Sequence, residues 1–141
     1  MPKLLLFAPC EKVIIDKDTN TLSLVSILHQ LTFHLPPGVQ VLPDAAVPIK
    51  WHTLSLWEKE ANDDGVSFEQ RIELRGQNNK ILVQSNSSWS FTTSTHRVTN
   101  NIHGFPSAPG PLRLVLQFRR PESQWTEVAS YPLEVIITAQ S

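Results

Sequence analysis

The sequence predicts an all-β protein: a single β-sandwich domain of about seven to eight antiparallel strands. Three observations lead there. Apolar and polar residues alternate over short stretches, the period of a strand with one buried face. Clusters of Asp, Asn, Gly, Pro and Ser separate those stretches. No window of about 11 residues or more repeats apolar residues at helical spacing. The chain also carries 11 prolines, and each would cost about 3 kcal/mol inside a helix.

Residues 1–141 read as one domain, long enough to build a core without metals or disulfides. Charged residues are 18% of the chain, fewer than the roughly 25% of an average domain. A low charge count suits sheets, because long amphipathic helices usually carry more Glu and Lys.

The first strand spans Leu4 to Ile15. Pro9 interrupts it, so it reads as an edge strand or one broken there, since proline cannot donate to a ladder. Asp16 to Asn20 is a turn by composition. In the next run Leu22, Leu24, Ser26 and Leu28 share one parity, while Leu31, Phe33 and Leu35 share the other. The buried side therefore changes near His29-Gln30, through a bulge or a strand that switches sheets. Pro36-Pro37-Gly38 opens a loop expected to reach Pro48.

Ile49 to Glu58 follows. Trp51 and Trp57 share one parity and Leu54 and Leu56 the other, so both faces are partly apolar and the strand reads as central. Asp64-Gly65 turns the chain into Val66–Arg75. There Phe68, Ile72 and Leu74 point inward, and Ser67, Glu69, Arg71 and Glu73 point to water. Gln77 to Asn79 turns again. Lys80–Ser85 and Trp89–Ser94 read as two strands or one interrupted strand. His96 to Pro111 is polar and rich in Pro and Gly, and reads as the longest irregular stretch, with at most a short strand around Val98 to Ile102. Leu112–Arg119 and Tyr131–Thr138 close the domain.

Several segments resemble a family of small bacterial proteins of unknown function. They are Ala8-Pro9-Cys10-Glu11-Lys12-Val13, the acidic turn Asp16 to Asn20, Leu22-Ser23-Leu24-Val25-Ser26-Ile27, the loop Leu35-Pro36-Pro37, Pro109 to Leu114 and Tyr131 to Val135. The resemblance covers roughly Phe7 to Thr138. It implies an immunoglobulin-like β-sandwich and no activity. The chain departs from the family at Ser26, where members usually carry glycine, and in its longer polar middle, Asn86 to Asn101.

The charge balance bears on partners. Twelve basic residues face 13 acidic ones, for a net charge of −1. The only adjacent basic pair is Arg119-Arg120, so the basic stripe of a nucleic-acid binder is missing. The apolar run Leu4 to Ala8 is too short for a signal peptide, which needs about 7–15 residues, or for a membrane helix. One cysteine, Cys10, excludes an internal disulfide. A cytoplasmic protein without nucleic-acid or membrane partners is expected.

No catalytic, metal or cofactor site is expected. Asp16-Lys17-Asp18-Thr19-Asn20 begins like a calcium loop. Thr21 then stands where the loop needs glycine, and Ile27 where it needs a bidentate glutamate. The five histidines, His29, His34, His52, His96 and His103, lack the close spacing of a zinc motif. No Gly-x-Ser-x-Gly elbow marks a nucleophilic serine. Cys10 sits on an apolar strand, where a free cysteine packs as a small hydrophobe.

The binding candidates are therefore Trp51, Trp57 and Trp125. Each either fills the core or joins an exposed aromatic strip that docks a partner. The expected function is a non-enzymatic protein-interaction module. Its contacts would run through an aromatic face, the loop His96 to Pro111, or an open sheet edge that also supports self-association. The alternative is a carbohydrate- or small-ligand-binding domain that stacks sugars on surface tryptophans.

Overall fold

The computed structural model describes residues 1–39 and 45–139. Strand accounts for 69% of the described residues, and no α-helix occurs among them. The fold is all-β and has two sheets. Nine strands appear there rather than seven or eight: β1 (Lys3–Ile15), β2 (Leu22–Ile27), β3 (Gln30–Leu35), β4 (Ala46–Glu58), β5 (Ser67–Arg75), β6 (Ile81–Ser90), β7 (Thr95–Pro106), β8 (Gly110–Arg119) and β9 (Thr126–Ala139). The first sheet has the order β2-β1-β4-β7 and the second β3-β9-β8-β5-β6. Every pairing is antiparallel except β3 with β9.

Strand β1 is neither an edge nor broken. It runs between β2 and β4. The carbonyl of Pro9 accepts from Leu28 N at 2.9 Å. In an extended residue the N and the C=O point the same way. The missing N–H of Pro9 therefore faces the side where the β2 ladder has already ended at Cys10. The acidic turn forms as its composition implies: Asp16 Oδ1 accepts the backbone N–H groups of Asp18 and Thr19, at 2.8 and 3.2 Å. These two bonds hold the Asp16 carboxyl below its ordinary range.

The parity change at His29-Gln30 is a switch of sheets. β2 belongs to the first sheet and β3 to the second. Just before the switch Ser26 sits at φ +54, a left-handed conformation that favours glycine. The loop expected up to Pro48 runs through residues 40–44, which lie outside the described residues. β4 begins before that proline, at Ala46, and Pro48 is absorbed where the register shifts between Val47 and Lys50.

β4 is central, between β1 and β7. Its odd positions Trp51, Thr53, Ser55 and Trp57 are buried. They face the second sheet, because Trp57 packs on Phe118 of β8 with ring centroids 5.1 Å apart. Phe68, Ile72, Leu114 and Leu116 complete the shared core. On the other face of β4, Leu54 pairs with Ala8, and both are buried with Cys10. The two-faced character of this strand follows from that arrangement.

Two further expectations fail. His96 to Pro111 is not irregular: most of it is β7, which pairs with β4 from Thr95 to Pro106. Glu73 does not face water. It is 2% exposed, with Arg71 Nε at 3.6 Å and Arg75 Nη2 at 3.1 Å from its carboxylate.

Candidate functional site

The three candidate tryptophans do not form an exposed strip. Trp51 and Trp57 are 0% exposed. The indole N–H of Trp51 donates to the Gly104 carbonyl at 2.9 Å, and its ring meets Phe105 edge-on at 5.3 Å. The indole N–H of Trp57 donates to Gln70 Oε1 at 3.0 Å. Both rings fill the core because their strand is central and their N–H groups find partners inside it.

Trp125 lies on the outer face of the second sheet, half-buried. The guanidinium of Arg71 stands 4.4 Å from its ring centre and that of Arg119 4.2 Å. Those cations are themselves fixed, Arg119 by Glu69 Oε2 at 2.6 Å and Arg71 by Gln117 Oε1 at 2.7 Å. The indole is thus covered by two anchored cations, in a contact that favours both partners. Trp51 and Trp57 thus offer no sugar-stacking surface, and on Trp125 a sugar would have to compete with two cations for the ring.

The other candidates are held in structural contacts. Cys10 is buried, and burial pushes its thiol up in pKa, away from the reactive thiolate. His34 hydrogen-bonds Thr138, His52 hydrogen-bonds Asn101, and His96 stacks on Trp89. No group of three His, Cys, Asp or Glu side chains placed to hold a metal occurs among the described residues. No helix among them is long and apolar enough to cross a membrane.

The feature that sequence reasoning missed is β6. It is the last strand of the second sheet and pairs only with β5. Among the described residues no further backbone hydrogen bond reaches it from its open side. Its sequence is Ile-Leu-Val-Gln-Ser-Asn-Ser-Ser-Trp-Ser, 10 residues without a charge or a proline. Sheet edges are usually blunted by charge, proline, bulges or shortness. The other edges follow that rule. β2 and β3 are six residues each. β7 carries Arg97, Gly104 at φ +90 and Pro106.

Local chemistry sets the pose of β6. The inward hydroxyls of Ser85 and Ser87 donate to Asn100 Oδ1 at 3.2 and 2.8 Å. Gln84, Asn86 and Ser88 are exposed. The strand starts from a tight turn in which Asn78 and Asn79 both adopt φ +57. Gly76 precedes it, and a Cβ there would stand 3.0 Å from Leu82 Cδ1.

No protein-family model and no curated protein sequence matches the chain. The site is therefore read from its geometry.

At the start of β6 a cavity of about 610 Å³ opens, bounded by Ile81, Leu82, Val83, Pro106, Pro109 and Leu112. Its lining is mainly apolar, with Gln77, Lys80 and His103 as polar groups. Ile81 is 49% exposed and Leu82 37%. An open backbone edge thus leads directly into an apolar hollow. The signal for it in the sequence is the uncharged stretch from Ile81 to Ser90. Its meaning depends on the strand being at an edge, which only the topology decides.

Proposed function

We propose that the chain is a non-enzymatic protein-interaction module, built as an immunoglobulin-like sandwich, that accepts an extended segment along β6. The observation that carries this reading is the uncharged, proline-free edge of β6 with its open backbone groups. Strand addition draws affinity from main-chain hydrogen bonds and specificity from pockets for alternate side chains. The cavity beside Ile81 and Leu82 supplies such a pocket for a bulky apolar side chain. Two sheets sharing one core support the sandwich reading. The opening strands support membership of the bacterial family they resemble.

The test is a display selection of linear peptides on the purified protein, followed by amide hydrogen exchange with a selected peptide bound. Protection gained along Ile81–Ser90, with an apolar residue shared by the selected peptides, is the expected result. Protection confined to other strands would sink the reading.

The cavity favours a second reading, a small apolar ligand. It is favoured over sugar stacking, since Trp51 and Trp57 are fully buried and two cations stand against the Trp125 ring. Binding of an apolar fluorescent dye that is lost in Leu82→Arg would support it; binding unaffected by that change would not.

A further inference from the structure

The edge of β6 has an order along it as well as a composition. Ile81, Leu82 and Val83 form an apolar end. Gln84, Ser85, Asn86, Ser87 and Ser88 form a neutral, hydrogen-bonding middle. Trp89 and Phe91 form a second apolar end, and their rings are 5.0 Å apart. The pattern reads the same in both directions about Asn86. An antiparallel pair of identical strands reverses one against the other. It therefore lays polar middle on polar middle, and the apolar start of each copy beside the apolar finish of the other.

We propose that the segment accepted by β6 is β6 of a second copy, in a two-fold dimer centred on Asn86. The inference rests on the strand-accepting reading above and names its partner. The two five-stranded sheets then join edge to edge into one continuous sheet across the axis.

Register supports that centre. Residues on one face of a sheet must pair with residues on the same face. With Asn86 opposite its own copy, Ser85 meets Ser87, Gln84 meets Ser88 and Val83 meets Trp89. Val83 and Trp89 both line the core side, since they pair with Leu74 and Phe68 of β5. Gln84, Asn86 and Ser88 pair with Glu73, Arg71 and Glu69 on the opposite face. From Val83 to Trp89 no position is forced through the sheet; the register of β6 on β5 shifts only before Val83, at Leu82.

Charge supports it too. A two-fold interface sets each residue near its own copy, so a charge at the centre would meet a like charge directly across the strands, which is destabilising. β6 carries none. On the core side the ends match as well: Val83 of each copy comes beside Trp89 of the other, both on the face that pairs with Leu74 and Phe68 of β5.

Sedimentation equilibrium over a wide concentration range tests the proposal, with three variants at exposed positions. Asn86→Lys sets two ammonium groups across the axis, and Asn86→Glu two carboxylates. Each is expected to weaken association by roughly tenfold or more, and an equimolar mixture of the two to restore it as a heterodimer. Ser88→Lys serves in place of Asn86→Lys if the latter fails to give a native circular dichroism spectrum. A wild-type protein that stays monomeric at every concentration overturns the proposal, as does a dimer indifferent to all three changes. A monomer that still protects β6 with a selected peptide overturns the dimer and leaves strand acceptance standing. A monomer that selects no peptide overturns both.

Discussion

The indole N–H of Trp57 and the carboxamide oxygen of Gln70 meet at 3.0 Å, joining β4 of one sheet to β5 of the other. Ser55 Oγ donates to the same oxygen at 2.9 Å. Gln70 is 1% exposed, and its Nε2 finds no protein partner. Replacing Gln70 by methionine keeps the volume but strands the buried Ser55 hydroxyl and leaves the Trp57 N–H only its longer bond to Ser55 Oγ, at 3.3 Å. We expect a loss of about 1–3 kcal/mol in urea unfolding. Adding Trp57→Phe should cost less in that background than in the wild type, because the N–H has already lost its shorter bond there. Strict additivity in the double-mutant cycle would show that the bond contributes nothing.

Ser26 holds φ +54 where β2 gives way to the crossing toward β3. A left-handed L-residue costs roughly 1–2 kcal/mol, and glycine offsets part of that gain by its freedom in the unfolded chain. Ser26→Gly should therefore raise stability by about 0.5–1 kcal/mol, and Ser26→Val should lower it. A melting temperature unchanged in both would remove the strain argument.

His96 stacks on Trp89 at 4.8 Å with an interplanar angle of 11°. Burial, and then the charge of Arg97, lower its pKa below the usual 6.5. The folded state prefers the neutral ring. Its contribution is complete above pH 6.5 and declines as the pH falls through that value toward the lower folded one. His96→Phe keeps an aromatic ring and removes the titration. It should flatten the fall of the melting temperature as the pH drops below about 6.5. Parallel wild-type and variant curves would contradict this.

The guanidinium groups of Arg71 and Arg119 both stand against the Trp125 ring. Trp125→Ala should cost about 0.5–2 kcal/mol, part cation–π and part covered area. Adding neutral oligosaccharides should leave the wild-type tryptophan fluorescence unchanged. A saturable shift that vanishes in Trp125→Ala would show that a sugar displaces an arginine from the ring.

Much of the fold was legible where chemistry is local. Asp16 caps its own turn, and Gln77 to Asn79 turns where expected. The parity change at His29-Gln30 marked a true crossing, because side-chain period cannot change within one flat strand. β7 was not legible. Its inward positions include Asn100, 7% exposed, so alternation of apolar residues fails there. Pro106 and Gly104 also look like loop punctuation. Glu73 was misread because its neutralising partners Arg71 and Arg75 lie on its own strand, where they read as solvated charges. The burial of Trp51 was anticipated in part from the central strand. The cations against Trp125 were not, since Arg71 and Arg119 stand on β5 and β8, adjacent in space but far apart in the chain.

The parallel pairing of β3 with β9 has a consequence in time. Gln30 to Leu35 find their ladder only in Glu134 to Ala139, and His34 bonds Thr138 from 104 residues away. During synthesis, Leu31 and Phe33 have no sheet to join until Glu134 to Ala139 have been made. Chains dominated by such distant pairings fold in roughly milliseconds to seconds. The growing chain thus carries an apolar strand, Gln30 to Leu35, without its ladder while about a hundred further residues are added.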